Sequence, residues 1–163
     1  MTSTCYIALG SNLGSREENL RQALAKIATI PRTGIDLVSD FIVTAPVGGP
    51  PGQNDYYNAA ARLRTELSPE DLLAALVRVE QNMGRDRLCE TRHGPRIIDL
   101  DILLFEDRMI DTPDLTIPHP RMHERLFVLR PLAQIAPDVL HPRIGKTAMA
   151  LLRACPMGSC GPA

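Results

Sequence analysis

Hydrophobic and polar positions divide the chain into alternating strand-like and helical stretches. Residues 4–9 form a short apolar run expected to be a buried strand. The turn Gly10-Ser-Asn-Leu-Gly14 follows. Ser15 and Glu18 then have capping-box spacing, and Leu20, Ala23, Leu24 and Ile27 recur at helical spacing up to a stop at Pro31. Residues 35–43 alternate as a second strand, 44–55 form a loop with three prolines and three glycines, and 56–67 resume strand character. Ser68-Pro69 opens a second helix whose apolar stripe reads Leu72, Leu73, Leu76, Val77 and Met83. A polar, arginine-rich loop over 84–95 precedes the clearest strand in the chain, Pro95-Arg-Ile-Ile-Asp-Leu-Asp-Ile-Leu-Leu-Phe105. Beyond it the pattern predicts a hairpin over 107–116, a helix over 125–135 packing Leu126, Leu129 and Ala133, and an irregular tail from about residue 146.

This order, β-α-β-β-α-β with an added hairpin and C-terminal helix, describes an α+β ferredoxin-like sandwich: an antiparallel sheet with helices covering one face. No repeat or linker interrupts it, so residues 1–163 are expected to form one domain. Because strand side chains alternate, Ile98, Leu100, Ile102 and Leu104 should face the helices. Asp99 and Asp101 then share the opposite face, left open for chemistry.

Two carboxylates at i and i+2 repel each other. A divalent cation relieves that repulsion, and hard oxygen ligands favour Mg²⁺ held together with substrate phosphates. The plainer alternative is a solvated sheet face. All but Lys26 and Lys146 of the 18 basic residues are arginine. Base composition can produce that skew, but Arg85, Arg87, Arg92 and Arg96 also cluster beside the carboxylates, with Arg121 and Arg125 further on. Guanidinium forks match phosphate oxygens, so the cluster fits a phosphate-handling site. Glu80 lies on the apolar stripe of the second helix and needs a partner there. Either it salt-bridges a neighbouring arginine or its helix lines a cation- or phosphate-filled cleft. The glycine turn after the first strand lacks the lysine and spacing of a P-loop, which favours a structural turn.

Composition narrows the classes. A formal net charge of −1 argues against a general nucleic-acid binder. No apolar stretch reaches membrane-spanning length and no leader pattern opens the chain, so a cytoplasmic protein is expected, most simply a monomer. Cys5, Cys89, Cys155 and Cys160 lack metal-binding pair spacing and read as free thiols.

Five stretches in order carry a family resemblance: Tyr6-Ile-Ala-Leu-Gly-Ser-Asn-Leu13, Asp55-Tyr-Tyr-Asn58, Glu80 with Gly84-Arg85, the segment from Gly94 to Phe105, and Pro118-His119 through Arg125-Leu-Phe127. From about residue 4 to 137 the chain resembles 6-hydroxymethyl-7,8-dihydropterin pyrophosphokinases, folate-pathway enzymes that move diphosphate from ATP to a pterin alcohol. The resemblance implies that Asp99 and Asp101 bind two Mg²⁺ ions and that Arg85 and Arg96 act with them in catalysis. It implies a nucleotide site of Glu80, Arg87, Arg96, Ile102, Thr116, His119 and Arg125. It also implies a pterin pocket of Thr44, Ala45, Val47, Tyr56, Asn58, Asp99 and Phe127, with Tyr56 and Phe127 sandwiching the ring. Departures fall on the nucleotide side. His93 stands in a lid position where well-known members carry tryptophan, and Pro120, Asp114 and Val77 replace a tyrosine, an arginine and a polar residue of some relatives. Two rivals are a two-metal phosphohydrolase or nuclease using His119 and His123, and a non-catalytic binding module. The first would not need the set of Tyr56, Asn58 and Phe127 or an arginine-rich lid, and the second predicts no turnover.

Overall fold

The computed structural model describes residues 1–45, 51–86 and 96–156, so Val47, Arg87, Arg92, His93 and Cys160 lie outside the described residues. Five strands, β1 (Ser3–Ser11), β2 (Thr33–Val38), β3 (Ile42–Thr44), β4 (Tyr56–Thr65) and β5 (Asp99–Phe105), form one antiparallel sheet. Its order is β2-β4-β1-β5, with β3 also pairing to β4. Helix α1 (Arg16–Ile27) follows β1, and α2 (Pro69–Asn82) joins β4 to β5. The predicted second strand is split: Ser39 and Asp40 break it, and Ser39 uses its backbone N–H and its side-chain oxygen to pair with Ala60.

Both helices bury apolar faces on one side of the sheet. Leu20, Ala23 and Ile27 of α1 and Leu72, Ala75, Leu76 and Val79 of α2 close over Cys5, Ile7, Leu9, Ala61, Leu63, Leu100 and Ile102. The stripe of α2 is rotated from the sequence reading, since Leu73 and Val77 are only half-buried while Ala75 and Val79 are inside. Ser68 caps α2 by accepting the Asp71 N–H at 3.1 Å. Ser15 makes no such side-chain bond at α1, so the expected capping box does not form.

The other face departs from the sequence expectation. The hairpin of β6 (Ile110–Asp111) and β7 (Thr116–Ile117) forms as predicted. A short 3-10 turn, Met122–Glu124, then leads into α3 (Leu126–Ile135), which lies across β4 on the side opposite α1 and α2. The supposed irregular tail is ordered through residue 154: β8 (Leu140–His141) pairs with β9 (Lys146–Thr147), and α4 (Ala148–Ala154) packs on α3. Helices therefore cover both faces of the sheet.

A bulge in β5 accounts for part of this. Ile7 pairs with Ile102 but Tyr6 with Leu104, so Leu103 is an extra residue in the strand. Strict alternation would set Leu104 with Ile102. The bulge turns it over, and Leu103 and Leu104 join Tyr6, Ala60, Val128, Leu132 and Ala148 in a second core under α3 and α4. Phe105 returns to the first core.

Candidate active site

Cross-strand register builds the floor of the site. Asp99 lies opposite Gly10 and Gly10 opposite Asn58; one step along, Asp101 lies opposite Ala8 and Ala8 opposite Ala60. Small residues in β1 thus separate a carboxylate edge from a polar edge. Both aspartates are half-buried and share the face opposite Ile98, Leu100 and Ile102, as the alternation predicts.

On the polar edge the Asn58 side chain is buried and donates from Nδ2 to Thr44 Oγ1 at 2.5 Å. A Cβ built on Gly10 would sit 3.0 Å from Asn58 Oδ1 and 3.5 Å from Tyr56 Cδ1. Glycine here is what allows Asn58 and Tyr56 to crowd the floor. Phe127 begins α3 half-buried against the second core, with the Arg125 guanidinium 5.6 Å from its ring centre. Ala45 is exposed.

On the carboxylate edge, Arg85 Nη1 donates to Asp99 Oδ1 at 2.8 Å and Arg96 Nη1 to Asp99 Oδ2 at 3.3 Å. Arg85 is not the loop-borne, solvent-facing group that its sequence position suggests. Its side chain is 3% exposed, and the same Nη1 reaches Glu80 Oε2 at 2.6 Å and the Ile98 carbonyl at 3.2 Å. The salt bridge is therefore the part of the Glu80 alternative that forms. Its consequence is that Arg85 supports the fold, because losing it would strand a buried carboxylate.

His119 and Arg125 complete the rim. The charges of Asp99 and Asp101 act on Arg125, and that of Asp99 on His119. Burial first, and then the Arg125 charge, push the His119 imidazole down to about 4. Its Nδ1 accepts the Arg121 N–H at 3.2 Å, so the neutral ring carries its proton on Nε2. Arg125 is lowered by burial and by Arg121, and its Nε lies buried without a hydrogen-bond partner among the described residues. Thr116 is half-buried in β7, while Ile102 is 4% exposed within the first core. Asp114 is exposed.

Asn12 is a contributor the sequence reading passed over. It is 1% exposed and accepts the Arg96 N–H at 2.7 Å on Oδ1 while donating from Nδ2 to Gln53 Oε1 at 3.0 Å. It also donates its own N–H to the Arg96 carbonyl. One side chain thereby ties Gln53 to the segment that carries Arg96. The signal in the sequence is an asparagine between two glycines at a strand end, which reads only as a turn.

Residues 6–137 match the 7,8-dihydro-6-hydroxymethylpterin-pyrophosphokinase (HPPK) family. The chain is 44% identical over 156 residues to the 2-amino-4-hydroxy-6-hydroxymethyldihydropteridine pyrophosphokinase of Pseudomonas aeruginosa, spanning 96% of this chain and 94% of that one. To the enzyme of the same name from Haemophilus influenzae it is 48% identical over 139 residues, 85% of each chain. The fold is similar to the crystal structure of Plasmodium falciparum HPPK-DHPS with pteroate, with a TM-score of 0.74 over 94% of this chain at 16% identity. This chain spans 42% of that longer protein.

Proposed function

The chain belongs to the 7,8-dihydro-6-hydroxymethylpterin-pyrophosphokinase family, and from that premise we propose how its residues divide the work. The reaction is transfer of diphosphate from ATP to the hydroxymethyl group of 6-hydroxymethyl-7,8-dihydropterin, giving AMP and the pterin diphosphate in folate biosynthesis. The alcohol oxygen forms a bond to the β-phosphorus and gives up its proton to solvent, as the bond from that phosphorus to the α-phosphate oxygen breaks and AMP leaves. Charge and alignment limit such a displacement between polyanions, more than covalent reactivity does.

Asp99 and Asp101 would hold Mg²⁺, as two ions shared with ATP. Two half-buried carboxylates on one face suit an ion that takes one or two protein carboxylates and completes its shell with phosphates and water, and no cluster of three such ligands forms among the described residues. When bound, the metal neutralises phosphate charge and helps align the reacting oxygens. Arg96 and Arg125 meet phosphate oxygens directly, and the buried Nε–H of Arg125 finds there the acceptor it otherwise lacks. His119 donates from Nε2 to a phosphate oxygen. An imidazole held near 4 is a poor base at neutral pH, so it does not take the alcohol's proton. Arg87 and Thr116 contact nucleotide, Ile102 offers the adenine only its backbone because its side chain is sealed in the first core, and Arg85 contributes its charge through Asp99.

The pterin lies on the floor beside Gly10. Asn58 bonds its edge, Tyr56 and Phe127 hold its faces, and Thr44, Ala45 and Val47 close the pocket. Residues 1–163 act as one ferredoxin-like pyrophosphokinase domain, monomeric and cytoplasmic.

The observation that carries this reading is the half-buried Asp99–Asp101 pair facing Arg125, whose buried Nε–H has no partner among the described residues, across from Asn58 and Tyr56. The test is to incubate the protein with Mg²⁺ and ATP, with and without the pterin alcohol. AMP should form only when the alcohol is present. Phosphate or AMP release without it would mark a hydrolase instead.

A further inference from the structure

Glu80 sits behind the carboxylate edge, away from its open side. Its side chain is 2% exposed, and Oε2 accepts both the Arg85 guanidinium at 2.6 Å and the Leu100 N–H of β5 at 2.8 Å. Leu100 is the residue between Asp99 and Asp101, and the Arg85 nitrogen held by Glu80 is the one that grips Asp99 Oδ1. One buried oxygen therefore fixes the strand between the two carboxylates and the cation that orients the first of them.

We propose that Glu80 is a positioning residue for metal at Asp99 and Asp101, and that it stays on Arg85 and Leu100 while nucleotide binds rather than contacting ATP. This rests on the function proposed above. The physical reason is charge. Arg85 is a fixed positive group beside Asp99 with almost no water around it, and Coulomb interactions are strong there. With Glu80 ionised, the buried pair is neutral, so Asp99 keeps its full attraction for a divalent cation. With Glu80 neutral, the guanidinium acts on Asp99 alone and repels the incoming ion. Geometry adds to this, because the Leu100 contact holds the pleat from which both aspartates project. A carboxylate that also had to reach nucleotide would give up the Leu100 N–H and leave a buried donor unsatisfied.

The experiment uses the full chain with α,β-methylene ATP, which cannot release AMP, and Mn²⁺ as the metal probe followed by electron paramagnetic resonance. Glu80→Gln keeps an oxygen acceptor and removes only the charge. It should weaken Mn²⁺ binding in the protein–nucleotide complex by about tenfold, as expected for an uncompensated charge at close range. Binding of the analogue without metal should change by less than about twofold, within ordinary scatter. The double variant Glu80→Gln with Arg85→Gln, neutral throughout, should recover most of the Mn²⁺ affinity. Weaker metal-free analogue binding with unchanged Mn²⁺ affinity would mean that Glu80 contacts the nucleotide, and would overturn the proposal. Equal Mn²⁺ loss in the single and double variants would overturn the charge argument. The wild-type chain supplies a readout independent of any variant's folding. Hydrogen exchange at the Leu100 amide should be no faster with Mn²⁺ and analogue bound, and acceleration of about tenfold would show that Glu80 had left it. Wild-type protein that forms AMP alongside an unshifted Glu80→Gln rejects this inference alone, whereas wild-type protein that forms none rejects the function on which it rests.

Discussion

At the residue scale, the site depends on what is absent from position 10 as much as on what surrounds it. An added methyl group at Gly10 would press on Asn58 Oδ1 at 3.0 Å, so the amide that donates to Thr44 must give by a few tenths of an ångström. Gly10→Ala should weaken pterin binding by about tenfold and cost about 1 kcal/mol of stability, the low end for overpacking, because Ala also suits a strand better than Gly. Fluorescence titration with the pterin and urea unfolding measure the two effects, and undiminished pterin affinity would show that the floor has slack. The aspartates themselves were legible from sequence, since alternation around a run of aliphatics leaves them one face. The burial of Arg85 was not. Sequence places it after a helix in a polar loop, and only the fold reveals that the end of α2 delivers it beneath β5 beside Glu80.

At the scale of elements, the longer helices were located correctly, though the α2 stripe is rotated and the α1 capping box does not form, and the short α4 was lost. Helix α2 has Ser68, Pro69 and a full stripe, and its start matched. Helix α4 offers only seven residues before a Gly/Pro-rich end, so periodicity had too little length to register. The missed signal was Thr147, whose side chain accepts the Ala150 N–H at 3.1 Å as a proper cap. Ala148 and Leu151 of α4 are buried, so this segment belongs to the body of the domain. Leu151→Ala should destabilise the protein by about 2–3 kcal/mol in chemical unfolding, in the range for a buried leucine. A change below about 0.5 kcal/mol, the scatter of ordinary surface substitutions, would return the segment to the status of a tail. The β5 bulge was equally invisible, because a run of four consecutive apolar residues looks the same whether or not one of them is out of register.

At the scale of the molecule, histidine burial couples stability to pH. Unfolded, His119 titrates near its ordinary value of 6.5; folded, it is held to about 4, mainly by burial. Between those values the unfolded chain binds more protons, so this contribution is complete above about pH 6.5 and is lost as pH falls towards 4. His141, lowered by burial and by the neighbouring His123, acts in the same direction. The His119 share is on the order of 2–3 kcal/mol. Urea midpoints for wild type and His119→Gln between pH 7 and pH 4 should therefore converge as the solution is acidified, and parallel curves would show that His119 is not held neutral. Through the same range the folded imidazole keeps its Nε2 proton, so the donor proposed for phosphate should be unchanged until the histidine itself titrates.

The extra residue at Leu103 also gives the two ends of β5 different facings. Ahead of it the pleat follows a strict wet-and-dry rhythm that keeps both acids over the open floor. Behind it both sides of the strand are sealed in oil, and the rhythm has already been reset. The aim of the acids is thus set by the half of the strand ahead of Leu103, while the half behind it serves the two cores.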